Sequence, residues 1–180
     1  MTSSTQVQTQ RRQAGQNKGF SLIELLIVVA IILIIAAIAI PNLLRARIAA
    51  NQASAVGSTR TITTAQVTYS STWGIGYASA LSRLGGAASC TPSSTTACLI
   101  DPVLSAGTKS GYTMVTVGAT GGATTSNPNQ TFETNATPIN TSTGTTSYCS
   151  DQSGVIRYNT GGTAIGTGVG TCAALTTVLQ

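Results

Sequence analysis

The sequence predicts an α+β fold. A long N-terminal α-helix, apolar and protruding in its first half, turns amphipathic and packs there on a small antiparallel β-sheet head. Three observations predict this. Leu25 to Ile40 form an unbroken apolar run. From Asn42 to about Ser71, apolar residues return at roughly helical spacing. Beyond Trp73 the chain turns to Thr, Ser and Gly, with short β-prone runs. Composition agrees: only 7% of residues are charged, against about 25% in an ordinary soluble domain. The pattern is that of an apolar anchor joined to a weakly charged, polar head.

The anchor is read first. Residues 1–18 are polar and hold three cations, Arg11, Arg12 and Lys18, with no acid. Gly19-Phe20-Ser21-Leu22-Ile23-Glu24 follows, and then the apolar run. Phe20 to Ile40 is 21 residues. At about 1.5 Å per residue this makes a helix of roughly 31 Å, the thickness of a bilayer core. The basic side is N-terminal, so Met1–Lys18 is expected in the cytoplasm and the head outside.

Other processing readings fit less well. A secretory signal has an apolar stretch of about 7–15 residues before a small-residue cleavage site. Here the stretch is longer, and Pro41 sits beside the candidate cut at Ala39-Ile40. Arg11-Arg12 suggests a twin-arginine signal, but the pair stands well back from the apolar segment. A plain anchor explains the hydrophobicity and leaves Glu24 unexplained. A carboxylate within an apolar helix costs roughly 2.5–3.5 kcal/mol on insertion scales, so such residues are usually paired and functional. The bland alternative is a carboxyl that snorkels at the interface or is protonated.

Gly19-Phe20-Ser21-Leu22-Ile23-Glu24-Leu25-Leu26-Ile27-Val28-Val29, with Pro41-Asn42-Leu43-Leu44 beyond it, resembles the class III signal of type IV pilins and pseudopilins. The resemblance covers about 25 residues; beyond them only the layout is similar. It implies that a membrane aspartyl peptidase cuts between Gly19 and Phe20 on the cytoplasmic face and that Phe20 is N-methylated. It implies a homopolymer, assembled by a platform and ATPase machinery from the inner membrane. The head is then periplasmic before assembly and lies on an extracellular filament after it. It also implies assembly roles for Phe20, Glu24 and Pro41. The pilin-like domain layout is a leader at 1–19, a transmembrane and polymerisation helix at 20–41, an amphipathic helix at 42–73 and a β-rich head at 74–180.

The chemistry of the motif suits that role. Gly19 leaves no side chain to obstruct a protease. Cleavage removes three cations and exposes an α-amine at Phe20, with Glu24 one turn on. In a helix bundle each buried charge needs a partner, and Glu24 of one subunit can pair with the Phe20 amine of another or of its own chain. The apolar residues surround the helix on all sides, as in helices buried in lipid or among other helices. Ala30, Ala36, Ala37 and Ala39 permit close approach. Pro41 lacks an amide hydrogen and is expected to kink or locally melt the helix. Arg45 and Arg47 are placed to meet headgroups or neighbouring subunits.

In the second half Leu44, Ile48, Ala55, Ile62, Tyr69 and Trp73 form the predicted stripe against the sheet. Gly74 and Gly76 end the helix. An irregular connection runs to about Thr108, and strands are expected at 111–117, 130–134, 145–150 and 154–158. Asp151-Gln152-Ser153-Gly154 reads as a hairpin turn. Four cysteines allow three pairings. Cys90–Cys98 and Cys149–Cys172 are favoured because each closes a loop local in sequence. The tail, with Gly161-Gly162 and glycines at 166, 168 and 170, is expected to be a flexible loop clipped by Cys149–Cys172. Such a loop is similar to the C-terminal disulfide loop of many pilins. A phosphate cradle there is poorly supported, since neither a helix nor a lysine follows. Several Asn-x-Ser/Thr triplets, such as Asn135-Ala136-Thr137, are expected by chance in so Thr-rich a head.

Other function classes find little support. The chain has no histidine, and no nucleophile stands beside a candidate base, so no catalytic residue and no cofactor is predicted. Without histidine or C-x-x-C spacing, zinc is not expected. Pseudopilins of the major type often bind calcium near the C-terminus. Here only Asp151 lies past Glu133, so no metal site is predicted. Beyond Gly19 six basic residues stand against four acids, six minus four giving +2, and the six are scattered. DNA is a conceivable partner that nothing in the sequence supports. The favoured expectation is a type IV pilin serving adhesion, twitching motility or DNA uptake. A type II secretion pseudopilin and a non-polymerising anchored binding protein are the alternatives.

Overall fold

The computed structural model describes residues 19–87, 89–119, 121–166 and 168–179. The expected leader at 1–19 therefore lies outside the described residues except for Gly19. Two compact units divide between Ile40 and Pro41.

Helix α1, Leu22–Trp73, crosses that division. It begins two residues later than the expected Phe20 and continues through Pro41. The proline removes one backbone bond, and the residues on either side of it are helical here. Many threonines make the second half a poor helix former. Thr59, Thr61 and Thr63 turn their hydroxyls back to the carbonyls four residues earlier, at 2.9–3.0 Å.

Within the second unit α1 buries Ala55, Ser58, Thr59, Ile62, Ala65, Gln66 and Tyr69. The three- and four-residue spacing is that of one helical face. This stripe starts later than predicted. Leu44 is exposed, and Ile48 and Trp73 are only half-buried. Three of the stripe residues, Ser58, Thr59 and Gln66, are polar, which hydrophobic spacing cannot reveal.

The helix ends where the glycines require. Gly74 and Gly76 take φ of +63° and +78°. A side chain on Gly76 would strike the Asn129 backbone, with which Gly76 forms an isolated parallel bridge. Two one-turn helices follow, α2 (Leu81–Leu84) and α3 (Pro102–Ser105). They bury Leu81, Leu84 and Leu104. Asp101 caps α3 through the Leu104 amide, and this bond, ahead of the Lys109 ion pair, holds its carboxyl below the ordinary value. The Cys90–Cys98 disulfide closes the loop between α2 and α3. The Tyr69 hydroxyl fastens that loop from α1 by donating to the Ser94 carbonyl.

The sheet is an antiparallel meander of five strands in order β1-β2-β3-β4-β5. These are β1 (Thr108–Lys109), β2 (Tyr112–Ala119), β3 (Thr131–Pro138), β4 (Thr146–Asp151) and β5 (Ile156–Thr160). The strand expected at 130–134 runs on to Pro138, which sits at the strand end opposite Tyr112. There a missing amide is tolerated. Strand β1 was not expected. It exists because Ser110 and Gly111 adopt φ of +51° and +74°, a two-residue turn whose twist suits a hairpin. Asp151–Gly154 closes β4 to β5, with the Gly154 amide on the Asp151 carbonyl at 3.0 Å.

Strand alternation divides the sheet into two faces. Tyr112, Met114, Ala136, Tyr148 and Ile156 share one core with Ala55, Ile62 and Tyr69 of α1. Gln66 anchors that contact. Its Nε2 donates to the Ala78 carbonyl and the Thr116 hydroxyl, both at 3.0 Å. Its Oε1 accepts from the Ala78 amide at 2.7 Å.

Glu133, Asn135, Cys149 and Asp151 fall on the other face. The tail covers it, and Ile165 and Cys172 pack with Cys149 in a second small core. Glu133 is 1% exposed. It accepts from the amides of Gly170 at 3.0 Å and Cys172 at 2.9 Å, and from the Thr171 hydroxyl. The Cys149–Cys172 disulfide adds a covalent tie. Val178 bridges Arg157 on the outer edge of β5. The tail is thus tied to this face at Ile165, at Gly170 to Cys172 and at Val178, while most of its residues stay exposed. The physical reason is the buried carboxylate, which must find donors. A glycine-rich backbone can converge several amides on one point.

Two outcomes follow for the head. Replacing Gln66 with Leu strands the Ala78 amide and carbonyl and removes the donor to the Thr116 hydroxyl. It should cost about 2–4 kcal/mol, read by denaturant unfolding in detergent. Burial first, and the Tyr148 phenol second, push the Tyr112 hydroxyl up to about 12. Unfolded tyrosine titrates near 10, so the folded state holds its proton to higher pH. Stability should be flat below about pH 10 and fall as pH rises from there toward 12. Tyr112→Phe should flatten that decline in thermal melts taken across the range.

Candidate processing and assembly segment

The N-terminal unit is built around the start of α1. Gly19 and Phe20 lie outside the helix and are exposed, Phe20 at 91%. Ser21 is the cap residue, since its carbonyl already accepts the Leu25 amide at 3.2 Å. Glu24 stands at the third helical position, and its Oε2 accepts the Ser21 backbone amide at 2.8 Å. Ser21-Leu22-Ile23-Glu24 thus makes one half of a capping box. The bond satisfies one of the amides that every helix start leaves without a partner. It also places a negative group in the first turn, where the helix dipole favours it.

This bond is a partner for Glu24 that sequence reading missed. The signal was present, because Ser-x-x-Glu before an apolar run is a helix-start signature. The bond uses only Oε2, and no contact to Oε1 is found among the described residues.

From Leu22 to Ile40 every residue but the half-buried Ala36 is exposed. Leu25, Ile32 and Ile38 are 63%, 58% and 66% exposed. The run is long and apolar enough to cross a membrane. Glu24 is the only acid in α1. Pro41 lies inside the same helix, at the first residue of the second unit. Phe20 and Glu24 are thus gathered at one helix start, with Gly19 just before them, whereas Pro41 is far along the chain. The four cysteines belong to the second unit. Among the described residues no group of three or more His, Cys, Asp or Glu side chains is arranged to hold a metal ion.

Comparison with known proteins bears on this segment. The family described as the prokaryotic N-terminal methylation motif matches residues 14–40. The match spans the end of the basic segment and the whole apolar run. This pilin-like chain is 74% identical over 34 residues to the type IV wide pilus major component PilA4 of Thermus thermophilus. That match covers 19% of the chain and 26% of the relative. It is 48% identical over 54 residues to the type IV major pilin protein PilA of Myxococcus xanthus, covering 30% of the chain and 24% of the relative. The chain thus spans about a quarter of the length of the curated relatives it matches. No solved structure matches it. The long apolar helix, antiparallel sheet and C-terminal disulfide together make a pilin-like α+β fold.

The cap separates two properties of Glu24. Glu24→Gln keeps an amide oxygen for Ser21, and Glu24→Ala keeps none. Hydrogen exchange at the Ser21 amide, followed by NMR in detergent, should stay slow in the Gln variant and quicken in the Ala variant. An equal rate in both variants would show that the cap does not form.

Proposed function

We propose that this chain is a structural subunit of a type IV pilus filament. The match of residues 14–40 to the N-terminal methylation motif, followed by an apolar helix whose surface stays exposed, carries the reading. A prepilin peptidase cuts between Gly19 and Phe20, removing the basic leader 1–19, and Phe20 is N-methylated. The exposed, non-helical setting of Gly19 and Phe20 suits a peptide bond that must enter a protease site. Residues 20–41 anchor the subunit in the inner membrane before assembly and form the filament core after it. Residues 42–73 and 74–180 make the head, periplasmic first and extracellular later. An assembly platform and ATPase move the subunit from one setting to the other. Disulfides in the head suit the oxidising side of the membrane. Adhesion, twitching motility and DNA uptake are the activities such a filament serves.

Glu24 and Pro41 take assembly roles in this reading. Oε1 of Glu24 receives the Phe20 amine of a neighbouring subunit while Oε2 stays on Ser21. Pairing relieves two charges that would each cost several kcal/mol unpaired in an apolar bundle. Pro41 supplies a helix position already lacking one backbone bond.

Mass spectrometry of the protein from its native host tests the processing. The expected N-terminal peptide begins at Phe20 and carries one extra methyl group; an intact leader would overturn the reading. Glu24→Gln should keep processing and reduce fibres at least tenfold in sheared preparations viewed by electron microscopy. Normal fibre yield would remove the ion pair from the mechanism.

A further inference from the structure

The head holds three Asn-x-Ser/Thr triplets, at Asn129, Asn135 and Asn140. The structure separates them. Asn129 is 3% exposed, and its Nδ2 donates to the Tyr77 carbonyl at 2.8 Å. Asn135 is also 3% exposed, and its Nδ2 donates to Glu133 and to the Gly166 carbonyl. Neither amide nitrogen can meet an enzyme without local unfolding of the head.

Asn140 differs on every count. It lies in the loop between β3 and β4 and is exposed. Its side-chain orientation is settled by chemistry. One atom faces the backbone amides of Ser142 and Thr143, both at 3.1 Å. Amides only donate, so that atom is the oxygen. The Ser142 hydroxyl donates to the same oxygen at 2.6 Å. The nitrogen therefore points away from the turn, with no hydrogen bond among the described residues. The loop is held in place by the Asn51 side chain of α1, which donates to the Thr143 carbonyl at 3.0 Å.

We propose that Asn140 is an acceptor for N-linked glycosylation, with Ser142 as the hydroxyl of its Asn-Thr-Ser recognition triplet. The donor class is a saccharide carried on a polyprenyl diphosphate, and the catalyst is a membrane oligosaccharyltransferase. The Asn140 nitrogen attacks the anomeric carbon. A C–N bond forms, the bond from that carbon to the phosphate oxygen breaks, and the lipid diphosphate leaves with the electron pair. The nitrogen's proton passes to a carboxylate of the transferase. Three donors on the amide oxygen draw electron density from the nitrogen and ease loss of that proton. Glycosylated asparagines belong on surface loops of exported proteins, and of the three candidates only this loop qualifies. The inference rests on the proposed placement of the head outside the cytoplasm.

The test uses the full chain purified from its native host. One tryptic peptide, Ser110–Arg157, contains all three triplets. Intact mass and fragmentation should show a saccharide at Asn140. Ser142→Ala destroys the triplet but leaves both backbone amides on the Asn140 oxygen, so the fold persists; the added mass should be lost. Asn140→Gln should lose it as well. An unmodified peptide, or a saccharide that survives Ser142→Ala, overturns the proposal. The N-terminal peptide from the same digest reports leader processing separately, so failure of the export reading and failure of the glycan reading are distinguishable.

Discussion

The residues from Leu22 to Ile40 expose apolar side chains in every direction. Water cannot be their neighbour for long. Burying one leucine or isoleucine is worth about 1.5–3 kcal/mol relative to water, and this segment carries such residues throughout. Only two surroundings satisfy a helix apolar on all sides: lipid, or other helices like it. A segment that accepts both equally well is suited to exchanging one for the other. Glu24 breaks the equivalence. Lipid offers a carboxylate no partner, and in the proposed filament another subunit does.

The start of α1 shows how that acid is tolerated. One oxygen is already engaged by the Ser21 amide, so the carboxylate serves the helix that carries it before it meets anything else. The same bond sets where the helix begins and leaves Gly19 and Phe20 outside it. Helix nucleation and charge accommodation thus meet at Ser21 and Glu24, just after the proposed cleavage site.

In the head, polar side chains hold the layers together. Gln66 ties α1 to the Ala78 backbone and to β2. Glu133 ties β3 to the tail. Both are buried, and both work only because each donor and acceptor is matched. A weakly charged, Thr-rich chain has few large apolar residues for its core, so matched polar contacts and two disulfides carry part of the load.

Local chemistry was legible in the sequence. The apolar run, the Gly74 and Gly76 break, the Asp151–Gly154 turn and four of the five strands all follow from short-range pattern, because hydrophobic spacing and turn residues act over a few positions. The cap at Ser21 was equally local and went unread. Tertiary structure alone decided that the helical stripe begins near Ala55 rather than Leu44, that Glu133 is buried, and that the glycine-rich tail is tied to it. Tertiary structure alone also sorted the three asparagine triplets by exposure. Those features depend on which distant groups meet. Glu133 and Cys172 are partners only because the sheet and the tail return to the same place, and no spacing along the chain encodes that return.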